Sequence, residues 1–169
     1  MSFQTGDVFT INLNDDEIGF GQVVAIPSRS NLIVCIFDKK NQKTCQNIDL
    51  QDVCSSPIIL MGYTLDAKFY HKHWQIIGNY LENLKTIVLP YNRMGTPPDD
   101  IYITNYQGKR IRQASINEFE KLNYQTVIAP VRYENALKAY YGYMPWIEED
   151  YNKLLYSNYL AAKQVVERE

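Results

Sequence analysis

His71 and His73 are the chain's two histidines, and a His-x-His pair in a strand would turn both imidazoles to one face. Two ligands fall short of the three or four that zinc takes, and Asp66 and Cys54, the nearest further candidates, lie at no diagnostic spacing. A solvated or packing role stands beside the metal role. No G-x-S-x-G or comparable nucleophile motif accompanies either histidine, so an enzymatic reading would need a dispersed site around them. Cys35, Cys45 and Cys54 are odd in number and form no CxxC, which indicates neither a disulfide framework nor a zinc knuckle and suits a reducing cytosol. Cys35 sits in the apolar run Leu32–Phe37, where a thiol serves as a small buried hydrophobe. Gly19-Phe20-Gly21 lacks the third glycine and the following helix of a phosphate-binding loop. No catalytic residue, metal or cofactor is therefore expected.

Binding chemistry is better represented. Asn14-Asp15-Asp16-Glu17 is an acidic turn that can steer a cationic partner or serve as an ordinary solvated hairpin turn. Lys109-Arg110-Ile111-Arg112 is a short basic cluster; in a strand, Arg110 and Arg112 would share one face, free for phosphate or an acidic partner, or simply guarding an edge against strand addition. Asp15, Asp16, Glu17, Arg110 and Arg112 are the candidate partner-binding residues. Of the 14 tyrosines, many fall in the last third, among them Tyr140, Tyr141, Tyr143, Tyr151 and Tyr159. Tyrosine buries a large ring while keeping a wet hydroxyl, which suits both interfaces and the rim of a core.

The elements that must position these groups begin as strands. Phe9, Ile11 and Leu13 alternate with Val8, Thr10 and Asn12, so the three share one face of a period-two element. Ile18–Ile26 is a second strand whose two glycines mark bending or close backbone approach. Leu32–Phe37 is a third, with no polar face, fit for a central position. Residues 38–56 read as a long polar connection with a short element around Ile48–Val53. Pro57–Leu65 is a fourth strand, Lys68-Phe69-Tyr70 the start of another, and Trp74–Asn79 is ambiguous in period. Thr86–Pro90 and Ile101–Tyr106 are further strands, and Gln107-Gly108 turns into Lys109–Arg112. Ser115-Ile-Asn-Glu118 then fits a capping box opening a short helix. Tyr133–Tyr141 is a second helix, ended by Gly142. Pro145 opens a third, reaching Val166, with Ile147, Tyr151, Leu154, Leu155, Tyr159, Ala162 and Val166 on one stripe.

With 169 residues, 46% hydrophobic and 21% charged, the chain has the composition of a folded globular protein, expected to be a single domain over 1–169: mostly β over 1–113, mostly helical over 114–169, with the helices packed on the sheet. The net charge of -2 gives no overall positive field, so nucleic acid is an unfavoured partner. The N-terminal residues lack a charged segment followed by an apolar stretch, and no window is apolar enough to span a bilayer; a cytoplasmic protein is expected.

Gly6-Asp7-Val8-Phe9-Thr10-Ile11-Asn12-Leu13 followed by Gly19-Phe20-Gly21-Gln22-Val23-Val24 resembles the GDxFxIPL and GxGxV pattern that opens the immunity protein 26 family of bacterial polymorphic-toxin systems, with Asn12 where that pattern has proline. Trp74–Gly78 is similar to the family's W-x-x-x-G segment. The resemblance spans roughly residues 6–78. It implies a cytosolic, mostly β protein without enzymatic activity that protects its producer by binding a cognate toxin, usually encoded beside it. Occlusion needs shape, charge complementarity and aromatic anchors but no reactive group; Gly6, Gly19, Gly21 and Trp74 would then be scaffold. The fold expected is α+β: an N-terminal antiparallel sheet, either β-barrel-like and SH3-like in size or curled, followed by C-terminal helices. The rival reading is a small-barrel module that binds nucleic acid or a small ligand through Arg110, Arg112 and exposed tyrosines.

Overall fold

The computed structural model describes residues 3–168; Met1 and Ser2, which head the segment inspected for a leader, lie outside them. The chain is α+β and divides into two compact units, Met1–Thr86 with Val127–Tyr156, and Ile87–Thr126 with Ser157–Glu169.

The larger unit is built on an antiparallel sheet of β1 (Asp7–Asn12), β2 (Glu17–Ala25), β3 (Leu32–Gln42), β4 (Ile58–Thr64) and β5 (Gln75–Asn79), in the order β4-β3-β2-β1-β5. Because β4 and β5 end the order without pairing, the sheet is curled and open, and not a closed barrel. Its curl comes from register shifts in β2 against β3, between Gly19 and Gly21 and between Val23 and Ala25, and in β1 against β5 between Val8 and Phe9. Each shift leaves one strand with one or two extra residues and sharpens the local twist. Gly21 is required by close approach: a Cβ there would stand 2.5 Å from Phe9 Cζ and 3.0 Å from the Cys35 carbonyl oxygen. The Phe9 ring that crosses Gly21 stacks on Trp74 at 4.7 Å and meets Phe69 edge-on at 4.9 Å.

The predicted Phe9-Ile11-Leu13 face is core, joined there by Val23, Val34, Ile36 and Leu60. The helix α4 (Pro130–Tyr140) covers it with Tyr133, Ala136 and Leu137. Tyr133 donates its hydroxyl to the Tyr63 carbonyl at 2.9 Å. Glu134, only 9% exposed, accepts from the Trp74 indole nitrogen at 3.3 Å and faces Lys68 and Lys138 at 3.5 and 3.6 Å. A buried carboxylate is tolerated only when so partnered.

In the smaller unit β6 (Asn92–Thr96), β7 (Asp100–Thr104) and β8 (Arg110–Gln113) form an antiparallel sheet in that order. Ile101 and Ile103 pack with Phe119 and Leu122 from the α3 (Ile116–Lys121) segment and with Ala162 of α6 (Ser157–Glu167). Both halves of the predicted capping box form: Ser115 Oγ accepts from the Glu118 amide at 3.2 Å and Glu118 Oε1 from the Ser115 amide at 3.0 Å.

Several expectations need correction. Strand β3 continues to Gln42, so the connection after it is shorter than predicted, and its short element is the helix α1 (Leu50–Cys54). Lys68-Phe69-Tyr70 belongs to the helical turn α2 (Ala67–Tyr70), because the Phe69 and Tyr70 amides bond back to the Asp66 carbonyl. His71 and His73 consequently lie in a turn and not a strand. Thr86–Pro90 is not a strand: Thr86 closes a 3-10 turn, and β6 pairs with β7 instead. The predicted third helix is broken into α5 (Glu148–Tyr151), a 3-10 turn and α6. Leu155 is extended and bridges Leu60, while the Tyr156 amide bonds to the Ile59 carbonyl at 2.8 Å. The exposed edge of β4 thus captures backbone that a continuous helix would have used. The predicted stripe is divided accordingly: Tyr151 and Leu154 enter the larger unit's core, Ala162 and Val166 the smaller one's.

Candidate partner-binding surface

The acidic turn is fixed by its first residue. Asn14 Oδ1 accepts from the amides of Asp16 and Glu17 at 2.9 and 2.8 Å, an Asx turn that fastens the β1–β2 hairpin. Asp15 and Asp16 point into solvent, and neither forms an ion pair among the described residues.

Glu17 is held from across the chain. The Tyr143 hydroxyl donates to its Oε1 at 2.5 Å and Asn14 Nδ2 donates at 3.0 Å, and together with Lys40 they keep its carboxyl below the usual carboxylate range, Tyr143 contributing most. Lys40 Nζ donates to the same Tyr143 hydroxyl at 2.7 Å, stands 3.5 Å from Glu17 Oε2, and lies over the rings of Tyr141 and Tyr143 at 4.8 and 5.2 Å. Its ammonium is therefore held above its ordinary pKa, first by the Tyr143 bond. Beside it, Asp38 accepts from Tyr140 at 3.0 Å and from Tyr141 at 3.1 Å. That carboxylate raises the Tyr140 phenol, and burial, followed by Asp38, raises Tyr141.

Local sequence explains how these groups meet. Helix α4 ends where Gly142 takes φ +83, and the Tyr143 amide returns to the Lys138 carbonyl at 2.9 Å. This glycine-mediated reversal throws Tyr143 back toward β2 and β3. The product is one continuous surface of Tyr140, Tyr141, Tyr143, Lys40, Asp38 and Glu17, flanked by Asp15 and Asp16. Tyr140 and Tyr143 remain 44% and 42% exposed. Their hydroxyls are pinned, so the rings are presented at little further cost in entropy, the condition for an aromatic anchor. Lys40 and Asp38 were not singled out by sequence, and the tyrosines stood out only as a dense group, because their pairing with Asp38 and Glu17 spans 102 to 126 residues.

Arg110 and Arg112 belong to the smaller unit. The register shift between Ile103 and Thr104 gives β8 one extra residue, Ile111, so the two arginines fall on opposite faces and not on one, as expected. Arg110 lies 4.1 Å over the Tyr102 ring. Arg112 is committed to Glu118 through both ends of its guanidinium, at 3.0 and 2.6 Å, which lowers the Glu118 pKa to about 2.

The remaining candidates are dispersed. His71 and His73 are exposed with ring centroids 6.1 Å apart, and no group of three or more His, Cys, Asp or Glu that could hold a metal occurs among the described residues. Cys35 is buried, and burial pushes its thiol pKa upward; the same cause raises Cys54 to about 11. Cys45 is exposed. No helix among the described residues is long and apolar enough to cross a membrane.

Comparison with curated proteins and with solved structures finds no match. The family model of immunity protein 26 matches residues 4–97, a span that contains all of β1 to β5 and reaches through β6, including the acidic turn, Asp38 and Lys40, while the three tyrosines lie beyond it. With the matched glycines and Trp74 seated in the core as scaffold and the match covering more than half of the sequence, the chain belongs to the immunity protein 26 family.

Proposed function

We propose that this protein is a non-enzymatic immunity protein that acts in the cytoplasm of its producer by binding and occluding a cognate toxin, and that the surface built on Asp15, Asp16, Glu17 and the three tyrosines makes the contact. Family membership supports the first part. The second rests on one observation: half-exposed tyrosines held by Asp38 and Glu17 stand beside two acidic side chains that form no ion pair among the described residues. Aromatic anchors of this kind slow dissociation, and unpaired charge accelerates encounter with a surface of opposite sign. The partner surface is accordingly basic. The contact proposed here does not call on Arg110 and Arg112, which lie in the smaller unit and engage Tyr102 and Glu118.

The test is co-expression with the toxin domain encoded beside this gene, together with kinetics of binding to an inactivated form of that domain. The wild-type protein should restore growth. Replacing Asp15, Asp16 and Glu17 by Ser should slow association about tenfold or more at low salt, with the difference fading at high salt. Tyr140→Ala with Tyr143→Ala should act mainly on dissociation. Failure of the wild-type protein to bind or protect would remove the inhibitor reading; protection with unchanged kinetics in both variants would remove this surface and leave that reading standing.

A further inference from the structure

The smaller unit holds a cleft of about 560 Å³ lined by Arg112, Asn117, Glu118, Lys121, Val165 and Arg168. Its volume falls within the range of small-molecule sites, and its lining carries three cations to one carboxylate in a protein whose net charge is -2. The carboxylate offers little to oppose an anion. Glu118 Oε1 already accepts from Arg112 and from the Ser115 amide, and Oε2 accepts from Arg112. Arg112 is itself fixed by a further bond to the Val166 carbonyl at 3.0 Å, so this pair forms a rigid wall.

The other cations are uncommitted. Lys121 and Arg168 are exposed and enter no ion pair among the described residues. Val165, partly buried against the Ile101–Phe119 core, also lines the cleft and is its apolar surface. Asn117 adds a neutral amide donor. A bare inorganic anion would satisfy the cations and leave the apolar surface wet; an uncharged apolar molecule would do the reverse.

We infer that this cleft binds a small organic oxyanion, a carboxylate or phosphate monoester on a short apolar body, with Lys121 and Arg168 taking the oxyanion and Val165 the body. The affinity is modest, because both cations are solvent-screened and must be ordered on binding. The inference does not depend on the immunity reading and can be tested on the protein alone.

Full-length protein is titrated at low ionic strength with phenyl phosphate, benzoate, inorganic phosphate and benzyl alcohol, following the Val165 methyl groups and the Asn117 and Lys121 amides by NMR. Phenyl phosphate or benzoate should give saturable shifts at all three residues, the tighter of the two naming the oxyanion. Inorganic phosphate should bind about tenfold more weakly and benzyl alcohol should leave the amides unmoved, while the double variant Lys121→Ala, Arg168→Ala should lose about tenfold or more in affinity. Both sites are exposed, so the variant should keep the wild-type spectrum elsewhere; Lys153→Ala in the other unit should bind as wild type. No saturable shift with either aromatic anion, shifts undiminished in the double variant, or equal binding of inorganic and phenyl phosphate would each overturn the proposal.

Discussion

Two carboxylates in this protein are held in their charged form, Glu118 by neighbours three and six residues away and Glu17 by a tyrosine 126 residues along the chain. Glu118 keeps its proton off down to about pH 2 because Arg112 grips both oxygens and the Ser115 amide adds a third donor. Its pKa lies below the ordinary 4.5, so the folded state gains stability that is fully present above pH 4.5 and is lost as pH falls toward 2. Glu17, lowered chiefly by Tyr143, acts in the same direction. Glu118→Gln should therefore be less stable than the wild type at neutral pH, and the two should converge as pH approaches 2. Denaturant midpoints measured from pH 7 to 2 check this; parallel curves would mean that the Arg112 pair is screened into irrelevance, as exposed pairs often are. Lys40 carries no comparable consequence near neutrality, since its pKa is moved upward, away from that range.

At the scale of elements, β1 to β4 were legible because their information is local: alternation puts Phe9 and Ile11 on the core face, and glycine or Asn-Asp turns punctuate the runs. The capping box at Ser115 was legible for the same reason. Whatever required a distant partner was not. Tyr156 leaves its helix because the Ile59 carbonyl on β4 is available to it, and no pattern within residues 145–166 announces that competitor. Asn92–Thr96 has no apolar alternation to mark it, and becomes a strand because β7 supplies its ladder. The opposite faces of Arg110 and Arg112 depend on a single inserted residue, which pairing reveals and spacing cannot. Gly21 lies between the two cases: its bend was visible in the sequence, whereas the ring that makes it obligatory was not. Gly21→Ala should cost about 1–3 kcal/mol by forcing Phe9 off Trp74, seen as a lowered denaturant midpoint with an unchanged slope. A neutral substitution would show that the Phe9 ring can retreat without disturbing the stack.

For the whole molecule, the path of the chain sets the terms of cooperativity. The larger unit is interrupted by Ile87–Thr126, and the smaller one is completed only by the segment that follows Tyr156. That segment brings Ala162, Val165 and Val166 onto the core of Ile101, Ile103 and Phe119, and its Val166 carbonyl helps fix Arg112. The larger unit draws its final packing residues, Tyr151, Leu154 and Leu155, from before the break. A chain ending at Tyr156 should therefore keep slow amide exchange through β1 to β4 and α4, while β6 to β8 and α3 exchange faster by orders of magnitude, the signature of a foldon opened on its own. Loss of protection to the same degree in both units would instead mean one cooperative domain, as composition and length first suggested. The same truncated chain carries the functional argument one step further. Every residue of the proposed toxin-binding surface lies in the larger unit, so truncation should preserve toxin capture while abolishing oxyanion binding at Lys121 and Arg168, separating the two activities in a single protein.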